Sequence, residues 1–153
     1  MQFTAHVQGD GAITTLVDAY EKLDRTVPVR PLRMGLSHSS FMTRDTVERC
    51  ARLGIVPDIQ TPWLYHDART LVKHFGYERM RYFQPLRSLF AAGAIAGGGS
   101  DHMQKIEDAR AINLYNPFLG MWVTIARAGK WYDGPLHPEE ALTREQAIQF
   151  YTQ

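Results

Sequence analysis

Two rhythms of apolar and polar positions alternate along the chain. Four short apolar runs have the length and flanking turn residues of buried strands: Gln2-Phe-Thr-Ala-His6, Leu32-Arg-Met-Gly-Leu-Ser-His38, Ile55-Val-Pro-Asp-Ile-Gln60 and Ala94-Ile-Ala-Gly-Gly-Gly-Ser-Asp101. Helical patterns lie between them. Ile13, Leu16, Val17, Tyr20 and Leu23 recur at helical spacing, and Pro28 and Pro31 stop that helix. Thr43 is placed as the N-cap of a second helix, with Asp45 in its first turn, Val47, Cys50, Ala51 and Leu53 along one side, and Gly54 at its end. Further helices are predicted near 67–75, over 85–93 and over 116–127. Thr143-Arg-Glu-Gln146 is a capping box that opens a last one. The order is βαβαβαβα with short connections, an α/β chain of parallel strand–helix units.

Parallel sheets and barrels gather their chemistry at the C-terminal ends of their strands. Three of the runs end there in His6, His38 and Asp101. Neutral imidazole is the commonest zinc ligand, and a carboxylate suits zinc, iron and manganese alike. A catalytic zinc commonly keeps about three protein ligands and a water, whose pKa it lowers toward about 7. An aspartate at such a site can take the water's proton and pass it to a leaving amine. Any one strand-end histidine has an ordinary packing role as its alternative. The three together point to a metal-dependent hydrolase.

Composition narrows the field. Seventeen basic and sixteen acidic side chains leave a net charge of +1, so no long-range field recruits nucleic acid or a membrane surface. No apolar stretch has the roughly 18–20 residues of a membrane span, and the start of the chain lacks signal-peptide character. The single Cys50 rules out an internal disulfide and fits a reducing compartment, with the cytoplasm as the expected location. At 153 residues the chain has enough length for one domain, yet an eight-stranded barrel typically needs about 250 residues.

A set of motifs explains that shortfall: His6-Val-Gln-Gly-Asp-Gly-Ala12, Ser37-His38, Arg49-Cys-Ala-Arg-Leu-Gly54, Gln60-Thr-Pro62, Arg87-Ser-Leu-Phe-Ala-Ala-Gly93, Gly99-Ser-Asp101, Leu142-Thr-Arg-Glu-Gln-Ala147 and Tyr151-Thr152. In order and spacing the chain resembles the C-terminal half of the catalytic barrel of the amidohydrolase superfamily. The resemblance is to amidohydrolase family 3, with its exoenzyme-regulatory-protein-like and D-aminoacylase-like members. It implies that residues 1–153 form about half of a TIM-type barrel of the metal-dependent hydrolase fold, strands five to eight with their helices. It implies that His6 and His38 are the metal-binding histidines of the fifth and sixth strands. Asp101 becomes the eighth-strand aspartate that contacts metal and acts as general acid/base, and Gln60 ends the seventh strand facing the pocket. The implied cofactor is a divalent metal, zinc by preference, one or two ions in the complete enzyme. The implied substrate is a small molecule with a non-peptide amide-like carbon–nitrogen bond, cleaved by metal-activated water.

The family's first-strand His-X-His pair and fourth-strand carboxylated lysine have no counterpart here, since His66, His74 and His137 fall in predicted helices or loops. The expectation is therefore a fragment of a larger reading frame, or a chain completed by the missing barrel half or by a second copy of itself. An inert half-barrel that binds partners or oligomerises is the competing reading, and a small-anion-binding α/β protein a third. Trp63, with Tyr65 and His66, is either a substrate wall or loop packing. His102 contacts substrate, adds a ligand, or is an ordinary loop histidine. Arg87 pairs either with a substrate carboxylate or with a structural acid. Gly97-Gly-Gly99 lacks the Lys-Ser/Thr of a phosphate loop and reads as tight packing. Cys50 is read as core, and Ser39 and Ser40 beside His38 support no serine-hydrolase triad.

Overall fold

A computed structural model describes residues 1–101 and 116–153. Four strands, β1 (Thr4–Val7), β2 (Gly35–His38), β3 (Val56–Ile59) and β4 (Gly97–Gly98), form one parallel sheet in the order β1-β2-β3-β4. The helices are α1 (Asp10–Asp24), α2 (Arg44–Leu53), α3 (Pro62–Phe75), α4 (Leu86–Ala91), α5 (Pro117–Ala126) and α6 (Arg144–Thr152). Parallel neighbours joined through helices, in sequence order, are the construction of a (β/α) barrel, and four strands are half of its eight.

Local chemistry fixes the element ends. Thr43 accepts from the Thr46 amide while the Thr46 hydroxyl accepts from the Thr43 amide, a reciprocal cap on α2. Gly54 closes α2 at φ +66°, where a Cβ would stand 2.8 Å from Arg30 Cγ. Thr143 and Gln146 repeat the reciprocal cap on α6.

Val7, Leu36 and Ile59 leave one face of the sheet and are buried with Ile13 and Val17 of α1, Val47 and Cys50 of α2, and Leu86 and Leu89 of α4. A second cluster gathers Leu64 and Ala68 of α3, Met80, Phe83, Val123 of α5 and Leu136. Gly98 is where α6 presses on the sheet: a Cβ there would meet Phe150 Cε1 at 2.5 Å. The expected glycine packing is thus present at Gly98.

Register puts the polar residues on the other face. His6 lies opposite Ser37, Ser37 opposite Asp58, and Asp58 opposite Gly97. This row crosses the sheet on the side away from the helices, and His6 and Asp58 are exposed there. Two elements differ from expectation. α3 begins at Pro62 rather than near residue 67, because a proline fits the first turn, where its missing N–H has no partner to lose. β4 pairs only at Gly97 and Gly98 of the expected 94–101 run.

Candidate metal-binding mouth

Strict alternation along β2 would turn His38 to the helical face beside Val7. It does not go there. His38 adopts φ +74° and Ser39 φ +46°, both in the left-handed region. The strained pair is held from outside: the Ser39 amide donates to Val7 O (2.9 Å), its hydroxyl to Leu36 O (2.8 Å), and the Phe41 amide to Gln8 O (2.8 Å). Such conformations cost about 1–3 kcal/mol each and persist only where surroundings enforce them, which they do at functional sites. The result is that the His6 and His38 rings meet edge to face, centroids 4.3 Å apart.

Asp101 is also left-handed, at φ +47°. Its Oδ2 stands 3.9 Å from His38 Nδ1 and accepts a 2.9 Å bond from the Trp63 indole. His38 is buried, and its Nδ1 has no hydrogen-bond partner among the described residues. A buried, unpartnered imidazole nitrogen is expensive unless something polar is meant to meet it. His6, His38 and Asp101 are thus brought to one end of the sheet. The donor set, two imidazoles and a carboxylate, fits a divalent metal in kind. Among the described residues, however, no three His, Cys, Asp or Glu side chains are grouped closely enough to hold an ion by themselves.

Gln60 is buried just beyond β3. Its amide donates to Asp58 O (3.3 Å), its backbone carbonyl accepts from Gln84 Nε2 (3.0 Å), and its Oε1 is a second buried atom without a partner. Arg87 is exposed on α4 and forms no ion pair among the described residues. His102 lies outside the described residues. Cys50 is fully buried, with burial pushing its thiol up to about 12, and the Ser39 hydroxyl is spent on Leu36 O. A surface cleft of about 560 Å³ lies on the helical side, lined by Asp18, Glu21, Asp45, Glu48, Arg49 and Arg52. Arg49 binds Asp18, Glu21 and Asp45 there, clamping α1 to α2, and Arg52 also binds Glu21. That cleft is a structural ion network on the far side of the sheet from the histidines.

The amidohydrolase family profile matches this chain from residue 1 to residue 153. The chain belongs to the amidohydrolase family. It is 27% identical to YtcJ of Bacillus subtilis, an amidohydrolase by name, over all of this chain and 27% of that protein. It is 28% identical to the N-substituted formamide deformylase of Arthrobacter pascens, over 96% of this chain and 26% of the enzyme. The chain therefore spans about a quarter of the length of these relatives. In fold it is similar to an uncharacterized metal-dependent hydrolase from Pyrococcus horikoshii, with a TM-score of 0.75 and 20% identity over 97% of this chain and 27% of that one.

Within this amidohydrolase chain one mouth residue escaped the sequence reading. Asp58 shares the row of His6 and Ser37, and its pKa is raised, first by desolvation and further by Asp101, against a pull downward from His38 and Gln60. Its signal was available: in Ile55-Val-Pro-Asp-Ile-Gln60 the alternation that buries Pro57 and Ile59 on either side sends Asp58 to the opposite face.

Proposed function

We propose that this chain supplies half of the active-site barrel of a metal-dependent hydrolase that cleaves carbon–nitrogen bonds of small amide-like molecules. In this reading residues 1–153 are barrel strands five to eight. The observation that carries it is the pairing of His6 with His38, whose buried Nδ1 is unpartnered and lies 3.9 Å from the Asp101 carboxylate. His6, His38 and Asp101 would hold a divalent metal, zinc by donor type, one or two ions in the whole site. When bound, the metal lowers the pKa of a water toward about 7 and so provides a nucleophile at neutral pH. Asp101, partly exposed at the sheet end, would take a proton from the attacking water and return it to the departing amine. Gln60 borders the substrate, and the exposed Arg87 is the cation for a carboxylate on it. N-substituted formamides are the first substrates to try, given the name of the Arthrobacter relative.

The upstream ligands come from another chain segment or from a second copy. This second component of the reading is favoured by the grouping of fewer than three ligands among the described residues and by the β1 and β4 edges, which pair with no further strand among those residues. No helix of the described residues is long and apolar enough to cross a membrane, and the buried, unpaired Cys50 suits a reducing cytoplasm.

The test is metal content of the purified chain by plasma mass spectrometry, beside a His6→Ala, His38→Ala double variant. Near-stoichiometric metal that disappears in the double variant supports the site. Metal retained undiminished by that variant refutes it. Asp101→Asn retaining near-normal turnover in a complete enzyme would refute the proton role, and a well-folded monomer in size-exclusion chromatography with light scattering would count against a required partner.

A further inference from the structure

We propose that Trp63 is a positioning residue for Asp101, fixing which carboxylate oxygen serves the chemistry, rather than a wall of the substrate pocket. The inference rests on the reading of Asp101 as the acid/base group and adds the device that aims it.

Trp63 stands in the first turn of α3, directly beyond the strand that carries Asp58. Its indole Nε1 donates to Asp101 Oδ2 at 2.9 Å. An indole nitrogen only donates, so the carboxylate must be the acceptor and the bond has one sense. Asp101 needs such an anchor. Its side chain is 40% exposed, its backbone is left-handed, and this is its one side-chain hydrogen bond among the described residues. Without it the carboxylate would rotate freely in water. With it, Oδ2 is drawn in toward Trp63 and His38, and Oδ1 is the oxygen left to exchange a proton with a reacting molecule. Trp63 is half-buried in the first turn of α3, with Leu64 beside it in the buried core and the His66 ring 6.4 Å from its own, centroid to centroid. A group held by a rigid neighbour within hydrogen-bond reach is what general acid–base catalysis demands.

The contact and its consequence are tested separately, the contact on the 153-residue chain. Nitrogen-15 NMR resolves the indole N–H groups of Trp63, Trp122 and Trp131. Asp101→Ala is expected to shift the Trp63 indole resonance and speed its solvent exchange about tenfold, leaving the other two in place. Trp63→Phe, which keeps an aromatic ring and removes the donor, is expected to change the Asp101 three-bond couplings from one χ1 rotamer to an average. A Trp63 resonance indifferent to Asp101→Ala, or Asp101 couplings unchanged in Trp63→Phe, overturns the proposal. Turnover of an N-substituted formamide by the complete enzyme, with the missing barrel half supplied, then reads the role. Trp63→Phe should lower kcat about tenfold, near 1.4 kcal/mol, with KM within about twofold. A raised KM with kcat intact would make Trp63 a pocket wall and overturn the proposal. Absence of any turnover in the complete enzyme, with the missing barrel half supplied, would count against the functional reading, while the NMR arm still decides whether Trp63 aims Asp101.

Discussion

Arg127 offers the sharpest test of what holds the mouth in place. It sits at the C-terminus of α5, wholly buried, and donates to three backbone carbonyls: Leu136 O at 3.0 Å, Gln84 O at 2.8 Å and Phe83 O at 3.0 Å. Gln84 in turn donates to the Gln60 carbonyl at the end of β3, so a buried cation is linked to the mouth through two hydrogen bonds. Arg127→Met keeps the length of the side chain and removes all three donors. Each orphaned carbonyl costs about 1–3 kcal/mol, for a loss of about 3–9 kcal/mol. Against this stands relief of the buried charge. Desolvation, partly countered by Glu140 and Glu139, lowers the Arg127 pKa to about 10 from 12.5, equivalent to about 3 kcal/mol. The net expectation is a loss of about 3 kcal/mol, a large part of the roughly 5–15 kcal/mol that a domain possesses. Urea unfolding followed by circular dichroism measures it. Arg127→Lys, whose compact ammonium cannot reproduce the planar fork, should lose stability too. An Arg127→Met chain more stable than wild type would refute the reasoning, because three orphaned buried carbonyls would then have cost less than the relief of one buried charge.

Four smaller predictions follow from the same physics. Folding raises the Asp58 pKa from its ordinary 3.8, so the ionised carboxylate costs stability above the raised value, and that cost vanishes as pH falls below the unfolded value. Asp58→Asn should therefore stabilise the chain at neutral pH, by about 0.5 kcal/mol given solvent screening, and be neutral near about pH 3; a destabilised variant at neutral pH in urea melts would contradict this. Gly98→Ala should cost about 1–3 kcal/mol because its methyl group meets Phe150 at 2.5 Å, and thermal melts of Gly98→Ala with and without Phe150→Leu should show partial rescue. Thr43→Ala should lose about 1 kcal/mol through the α2 cap in urea melts, and most of that loss should persist in a Thr46→Ala background, because the donor to the Thr43 hydroxyl is the Thr46 backbone amide. Cys50, its thiol pushed up to about 12, should resist a thiol reagent at neutral pH until denaturant is added; rapid labelling of the native chain would refute its burial.

Much of the fold was legible because its signals are local. The Thr43 and Thr143 caps, Gly54 and the helical spacing of Ile13, Val17 and Tyr20 each act within one or two turns, and each stands where the residues indicate. Pro62 shows the limit of local reading. A proline stops a helix that precedes it but starts one that follows, and only the packing of Leu64 and Ala68 under Met80 and Phe83 selects the second outcome. β4 was overestimated for the opposite reason. Gly97 and Gly98 have no side chains to report a face, so the run of small residues read as a longer strand than the two residues that pair.

The mouth required more than pattern. His6, His38 and Asp101 could be named from strand ends and family resemblance, but which way they point could not. Alternation along β2 assigns His38 to the wrong face, and nothing in Ser37-His-Ser-Ser40 signals a left-handed backbone, since no glycine is there to mark it. The turn is imposed by partners distant in sequence: Val7 and Gln8 at the end of β1 capture the Ser39 and Phe41 amides, so β1 both carries His6 and swings His38 against it. The same logic applies to Asp101, whose direction is set by an indole 38 residues upstream. A strand end decides which residues can reach a metal. Long-range hydrogen bonds to the strained residues decide which way they face. Glycine is at ease at φ +46° and keeps the amide that Val7 O holds, so Ser39→Gly should preserve the His6–His38 ring contact. β-Branched Ser39→Val, strained there and without the bond to Leu36 O, should separate the rings, read as loss of the ring-to-ring nuclear Overhauser contact.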